Sequence, residues 1–159
     1  ELARRNPDIN YVAVEKTPNV LVTGAEALME SGIKNVRFCL GQAEYLEHLF
    51  RPHTVERLYL NFSCQFPKET YARHRLTHTR FLEIYKQVMK PGSEIHQKTD
   101  NQRLFEFSIE HFSKNGFAMK NVSLDLHNSG LEGNIMTEYE KRFTELGQPI
   151  YRLEAVVPE

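Results

Sequence analysis

No glycine precedes Tyr11, so the glycine-rich turn that usually follows the first strand of a nucleotide-binding sheet has no counterpart ahead of this chain's first apolar segment. Cysteine is scarce. Cys39 and Cys64 lie in different segments with neither CxxC nor zinc-ligand spacing, which excludes a disulfide framework and favours a reduced, cytoplasmic setting. The apolar runs are too short to cross a bilayer, and the opening residues are not expected to be a signal peptide. A Ser-His-Asp order, a phosphate-binding loop, GxSxG and HExxH are all missing, so the commonest hydrolase and nucleotidase chemistries lack a motif. There is no internal repeat and no low-complexity segment.

What remains is a chain of 159 residues with ordinary globular composition, long enough for one domain with a sizeable core. Apolar spacing predicts strands at 11–15, 36–40, 58–62, 94–98, 119–126 and 148–157. Helical spacing falls at 19–29, 43–50, 73–89, 104–112 and 137–146, with Thr99 or Asp100 as the cap before the fourth of these. Strand and helix alternate almost throughout, which predicts an α/β fold with a mostly parallel sheet. The last strand, with its alternating apolar residues, is expected as an antiparallel edge.

Ligands of open α/β sheets bind outside the carboxyl ends of strands, so strand tips are the places to search for chemistry. The apolar run 58–62 passes into Ser63-Cys64-Gln65-Phe66-Pro67-Lys68, a polar turn closed by a proline and a cation. Between Lys68 and Arg103 eight Lys and Arg face four Asp and Glu, a local excess of +4 in a chain of net charge −1. Such a basic middle suits a polyanion, although on charge alone a solvated helix face is the simpler explanation. Glu15 ends an early strand, where a carboxylate can accept from a ribose diol or simply face solvent. His96-Gln97-Lys98-Thr99-Asp100-Asn101 spans another strand-to-helix junction, where Thr99 and Asp100 could contact a substrate or cap the helix. Thr137 and Glu140 have capping-box spacing. His74 and His78 stand four apart on the expected helix, a zinc-binding spacing that lacks an obvious third ligand, and no metal is expected.

Taken in order, these stretches resemble the bacterial tRNA (guanine-N7-)-methyltransferases. The landmarks are Tyr59-Leu60-Asn61-Phe62-Ser63, Pro67-Lys68, Arg75-Leu76-Thr77, Lys98-Thr99-Asp100-Asn101, Ser123-Leu124-Asp125-Leu126-His127, Thr137-Glu138-Tyr139-Glu140 and Pro149-Ile150-Tyr151-Arg152. The resemblance implies a Rossmann-like class I methyltransferase sheet, mostly parallel with an antiparallel C-terminal strand. It implies S-adenosylmethionine as methyl donor and N7 of a guanosine in the tRNA variable loop as acceptor. It assigns Glu15, Gln42 and Cys64 to the cofactor, with Cys64 at the family's catalytic aspartate. It assigns Lys68, Asp100, Thr137, Glu138, Tyr139 and Glu140 to the substrate, and Thr70, Tyr71, Arg73, His74 and Arg75 to RNA contact.

Where the family has Asp-Pro-Trp, this chain has Cys64-Gln65-Phe66, and Gln42 stands where an aspartate is usual. Compared with the family, residues 1–159 are expected to form a single methyltransferase domain that lacks the first strand and its glycine-rich loop. Exposed strand edges would then invite pairing with another chain, as in a homodimer. Two readings compete with the active enzyme: a catalytically impaired tRNA-binding relative, and a zinc hydrolase built on His74 and His78.

Overall fold

The computed structural model describes residues 1–159 and divides into two compact units, Glu1–Tyr45 and Leu46–Glu159. In the first, a short helix α1 (Leu2–Arg5) precedes strand β1 (Tyr11–Glu15), helix α2 (Pro18–Ser31) and strand β2 (Val36–Leu40). The two strands pair in parallel, with Glu15 opposite Leu40. Parallel neighbours need a crossover, and α2 supplies it. Gly24 lets that crossover approach closely: a Cβ there would lie 2.8 Å from the ring of Phe38 on β2. Gly32 ends α2 with φ 70, the left-handed conformation that glycine adopts without steric cost. Val20, within the helical spacing of 19–29, is 56% exposed on α2.

The second unit holds α3 (Leu46–Leu49), β3 (Val55–Asn61), α4 (Thr79–Val88), β4 (Met89–Thr99), α5 (Gln102–Lys114), β5 (Ala118–Ser123), α6 (Glu138–Glu145) and β6 (Tyr151–Val156). The sheet order is β3-β4-β6-β5, with β3 parallel to β4 and β6 antiparallel to both its neighbours. The antiparallel C-terminal strand is present, but it is interior rather than an edge. Arg152, Leu153, Glu154 and Ala155 are buried in succession, as a strand hydrogen-bonded on both sides and packed on both faces requires.

The core forms where α4 and α5 meet one face of this sheet. Phe81, Leu82, Tyr85 and Val88 on α4, and Leu104, Phe105, Ser108 and Phe112 on α5, recur at helical spacing and are buried. They pack with Ile95 of β4 and with Leu153 and Ala155 of β6. Gln97 faces the same way: its Nε2 donates to Ser108 Oγ at 2.9 Å. By the two-residue period of a strand, Glu94, His96 and Lys98 project to the opposite face.

The helix expected at 73–89 starts only at Thr79. Residues Glu69–His74 form 3-10 turns, and Arg75 is extended. His74 and His78 therefore do not share a helix, and the basis of the zinc spacing is lost. His78 is instead the N-cap of α4, its Nδ1 accepting from the Arg80 N–H at 3.2 Å. His111 Nδ1 accepts the Thr79 N–H at 3.1 Å. Two neutral imidazoles thus satisfy two of the donors that a helix N-terminus leaves open.

Burial first, then the nearby Arg80 and Arg73, push the His78 pKa below its ordinary 6.5. Burial first, then His78 (with Lys114 and Arg75 adding and Glu110 opposing), does the same to His111. Folding therefore favours the neutral forms. Their contribution is complete above the ordinary histidine pKa and is lost as pH falls through the lowered folded values. The urea midpoint should accordingly fall as pH drops below 6.5, with a lost cap worth about 1 kcal/mol. His78→Asn, which accepts at any pH, should flatten that slope; an unchanged slope would place the acid sensitivity elsewhere.

Candidate active site

Both parallel strand pairs end in chemistry-bearing residues. In the first unit, Glu15 closes β1, and its Oε1 accepts the Thr17 N–H at 2.8 Å. The Gly41 N–H bonds the Glu15 carbonyl at 3.0 Å, so the loop carrying exposed Gln42 leaves β2 beside the tip of β1. A half-buried carboxylate next to an exposed amide matches a ribose diol and an adenine edge: the first accepts hydroxyl donors, the second both donates and accepts. On donor and acceptor type, these residues fit the adenosine half of S-adenosylmethionine.

In the second unit, Asn61 of β3 lies opposite Lys98 of β4, and the Phe62 N–H bonds the Lys98 carbonyl at 2.8 Å. The two chains then diverge, one into the turn at 62–68 and the other into Asp100. The turn is sharply bent: Phe62 and Phe66 have φ of 52 and 42, sparsely populated for side chains of this size. Cys64 on this turn is exposed, with its thiol unbridged. Lys68 is exposed at the far end of the turn.

Asp100 is not the cap of α5, and neither is Thr99. Asn101 takes that role, its Oδ1 accepting the Leu104 N–H at 2.8 Å, while the Thr99 hydroxyl accepts the Asn101 N–H at 3.1 Å. The half-buried Asp100 carboxylate is thereby left without a hydrogen bond or ion pair to the protein.

The segment before α6 folds beside these tips. The Thr137–Glu140 capping box forms as its spacing predicts. The Tyr139 ring packs at 4.8 Å from Phe62 at the tip of β3 and at 4.8 Å from Phe143. Glu138 and Tyr139 are exposed, whereas Glu140 is fully buried. Around Glu140 lies a network that sequence reasoning missed. Lys98 Nζ reaches Glu140 Oε2 at 2.6 Å, Asn134 Oδ1 at 3.0 Å and the Ile135 carbonyl at 2.9 Å. Lys98 lies 37 and 42 residues from Ile135 and Glu140 along the chain, a separation at which one sequence carries no pairing signal.

The residues expected to touch RNA divide. Thr70, Tyr71, Arg73 and His74 are exposed, and His74 packs against Phe66 and Tyr71 at ring distances of 5.7 and 6.2 Å. Arg75 is 6% exposed. Its guanidinium donates to the Gln65 and Phe66 carbonyls, pairs with Glu69 and lies 4.6 Å over the Phe107 ring. It braces the turn at 62–68, with Nε and Nη2 engaged and the head group buried.

One further cluster lies on the sheet face opposite the core helices. Ligand atoms of Glu94, His96 and Glu154 fall within 4.8 Å of one another. Cations already occupy the carboxylates: Lys120 and Arg57 on Glu94, and Arg152 on Glu154. Hydrogen bonds from His96 and Lys120 pull the Glu94 pKa down to about 2. Burial pushes the His96 pKa below its usual value. A divalent ion would have to displace these partners, so the cluster is better described as a salt-bridge ladder across β3, β4, β6 and β5. No helix of the protein is long and apolar enough to cross a membrane.

The fold is that of Rossmann-like methyltransferases. The family model described as "Putative methyltransferase" matches residues 1–153. The 16S rRNA methyltransferase KamB superposes with a TM-score of 0.66 at 16% identity, covering 99% of this chain and 81% of that one. The tRNA (guanine-N(7)-)-methyltransferase of Bacillus subtilis is 50% identical over 153 residues, which span 96% of this chain and 72% of that protein. The protein of the same name from Geobacillus sp. (strain WCH70) is 46% identical over 158 residues, 99% of this chain and 72% of its own length. The chain belongs to the tRNA (guanine-N7-)-methyltransferase family.

Proposed function

We propose that this protein methylates N7 of a guanosine in the variable loop of tRNA, and that the ends of β3 and β4 with residues 134–140 hold that base. The observation that carries the reading is 50% identity to a curated tRNA (guanine-N(7)-)-methyltransferase over 96% of the chain. S-adenosylmethionine is the methyl donor, supplying an electrophilic methyl group on a sulfonium. Glu15 and Gln42 hold its adenosine half.

Guanine N7 carries a free lone pair at neutral pH, so the acceptor needs neither a general base nor a metal. The protein's task is to place N7 in line with the methyl group, a contribution worth up to about 7–11 kcal/mol in well-oriented reactions. As N7 gains the methyl group, the imidazole ring of guanine becomes positive. The unpartnered Asp100 and the exposed Glu138 supply carboxylates for that charge. Lys68 and Arg73 are placed for backbone phosphates, with Thr70, Tyr71 and His74 beside them. The work is cytoplasmic, where tRNA is found.

Cys64 stands where the family has an aspartate and lacks that residue's full charge, so it shapes the pocket more than it drives the reaction. Cys64→Ala should keep the methyl-transfer rate within about threefold, since mutagenesis assigns hundredfold losses to groups that stabilise developing charge. A loss of turnover with normal tRNA binding would make Cys64 catalytic. The proposal as a whole is tested by incubating the intact protein with labelled S-adenosylmethionine and unmodified tRNA. Label entering tRNA is the expected result. Binding of tRNA with no transfer would favour the impaired relative, which the replacement Cys64-Gln65-Phe66 suggests.

A further inference from the structure

We propose that Lys98 and Glu140 form a buried latch that positions the substrate-facing residues, and that Glu140 acts through Lys98 rather than on the base. The inference rests on the methyl-transfer reading above.

The donors of Lys98 are fully matched. An ammonium group has three protons, and Lys98 Nζ has three acceptors: Glu140 Oε2, Asn134 Oδ1 and the Ile135 carbonyl. Glu140 Oε2 also accepts the Thr137 N–H at 3.3 Å, and Oε1 accepts Asn134 Nδ2 at 2.7 Å. His127 Nε2 lies 3.3 Å from Oε1. With Glu140 at 0% exposure, neither carboxylate oxygen has a free side for a nucleobase. The Thr137 hydroxyl accepts the Glu140 N–H at 3.0 Å. Of the run 137–140, Glu138 and Tyr139 are the side chains left facing outward.

Lys98 is where this network meets the strand tips. Its carbonyl holds Phe62 as the chain leaves β3, its side chain holds 134–140, and Tyr139 packs on Phe62. Two residues after Lys98, just past the end of β4, stands Asp100. One lysine thus fixes the distance between the turn bearing Cys64, the Asp100 carboxylate and the Glu138–Tyr139 pair. A displacement of about 1 Å in such a constellation can cost on the order of a hundredfold in rate.

Removing one partner of a buried ion pair strands the other, so single variants carry a folding penalty that the neutral pair avoids. The test is a cycle of Lys98→Met, Glu140→Gln and the double variant in the intact protein. It reads the single-turnover methyl-transfer rate at saturating tRNA, tRNA affinity by filter binding, and hydrogen exchange of the 134–140 amides. Each single variant should slow transfer about a hundredfold with tRNA affinity within about threefold. The double variant should lose no more than the worse single, because both changes break one device. Lys98→Arg, which keeps charge and donors, should recover to within about tenfold of the parent. Exchange at 134–140 should accelerate in the double variant while the sheet stays protected.

Losses that multiply in the double variant would show Glu140 acting on substrate independently of Lys98 and overturn the latch. Parental rate or parental protection in the double variant would overturn it too. A parent protein that methylates no tRNA would overturn the functional reading itself, a result distinct from a failed latch in an active parent.

Discussion

Asp100→Asn is expected to slow methyl transfer by roughly a hundredfold to a thousandfold, the loss seen when one preorganised charge-stabilising group is removed. Affinity for tRNA should stay within about threefold, because one nucleotide contact is a small part of an interface dominated by phosphates. The reasoning starts from an absence of partners. Asn101 caps α5 and Thr99 bonds the Asn101 N–H, so Asp100 is left with a carboxylate that the fold does not use. It sits one residue beyond β4, in the strand pair whose other member leads to Cys64. Asparagine keeps the shape and removes the charge, so a loss confined to the chemical step identifies an electrostatic role. Single-turnover rates with saturating tRNA make the measurement. Equal losses in rate and affinity would mean that Asp100 holds the base rather than stabilising charge.

Phe112→Ala is expected to destabilise the protein by about 3–5 kcal/mol, the usual cost of emptying a buried phenylalanine site. Phe112 is 0% exposed on α5 and packs against Phe117 at a ring distance of 5.4 Å, where α5 turns toward β5. Domains are stable by about 5–15 kcal/mol in total, so this one change consumes much of the margin. Tyr71→Ala, at a side chain 50% exposed, is the control and should shift stability by no more than about 0.5 kcal/mol. Urea midpoints for the two variants decide the matter. A Phe112→Ala midpoint close to that of Tyr71→Ala would show that the core lies elsewhere.

Local chemistry was legible in the sequence. The capping box at Thr137 and Glu140 is a contact between residues three apart, and it forms as read. The strands β1 and β2 fall where their apolar runs predict, because short runs bounded by polar residues leave little choice. Longer-range chemistry was not legible. The helical period after residue 73 includes Arg75, whose long apolar stem and planar head bury against Phe107 and the carbonyls of the preceding turn. That tertiary interaction delays the helix to Thr79, and periodicity alone cannot register it. The final strand looked like an edge because its alternating apolar residues suggested one buried face. Arg152 and Glu154 are nevertheless buried on the other face, paired with each other. Thr99 or Asp100 was expected to cap α5, whereas the end of β4 at Thr99 leaves that role to Asn101. The candidate site was legible as a set of strand tips. That Glu140 faces inward and Lys98 holds it depends on a fold-dependent encounter between distant segments.

The most direct test of the account is the position of the new methyl group. Unmodified tRNA treated with the intact protein and S-adenosylmethionine can be digested with nuclease and the fragments read by mass spectrometry. The account predicts one N7-methylguanosine, located in the variable loop. A methyl group on another base or another ring atom, or no methyl group on tRNA that the protein binds, would contradict it.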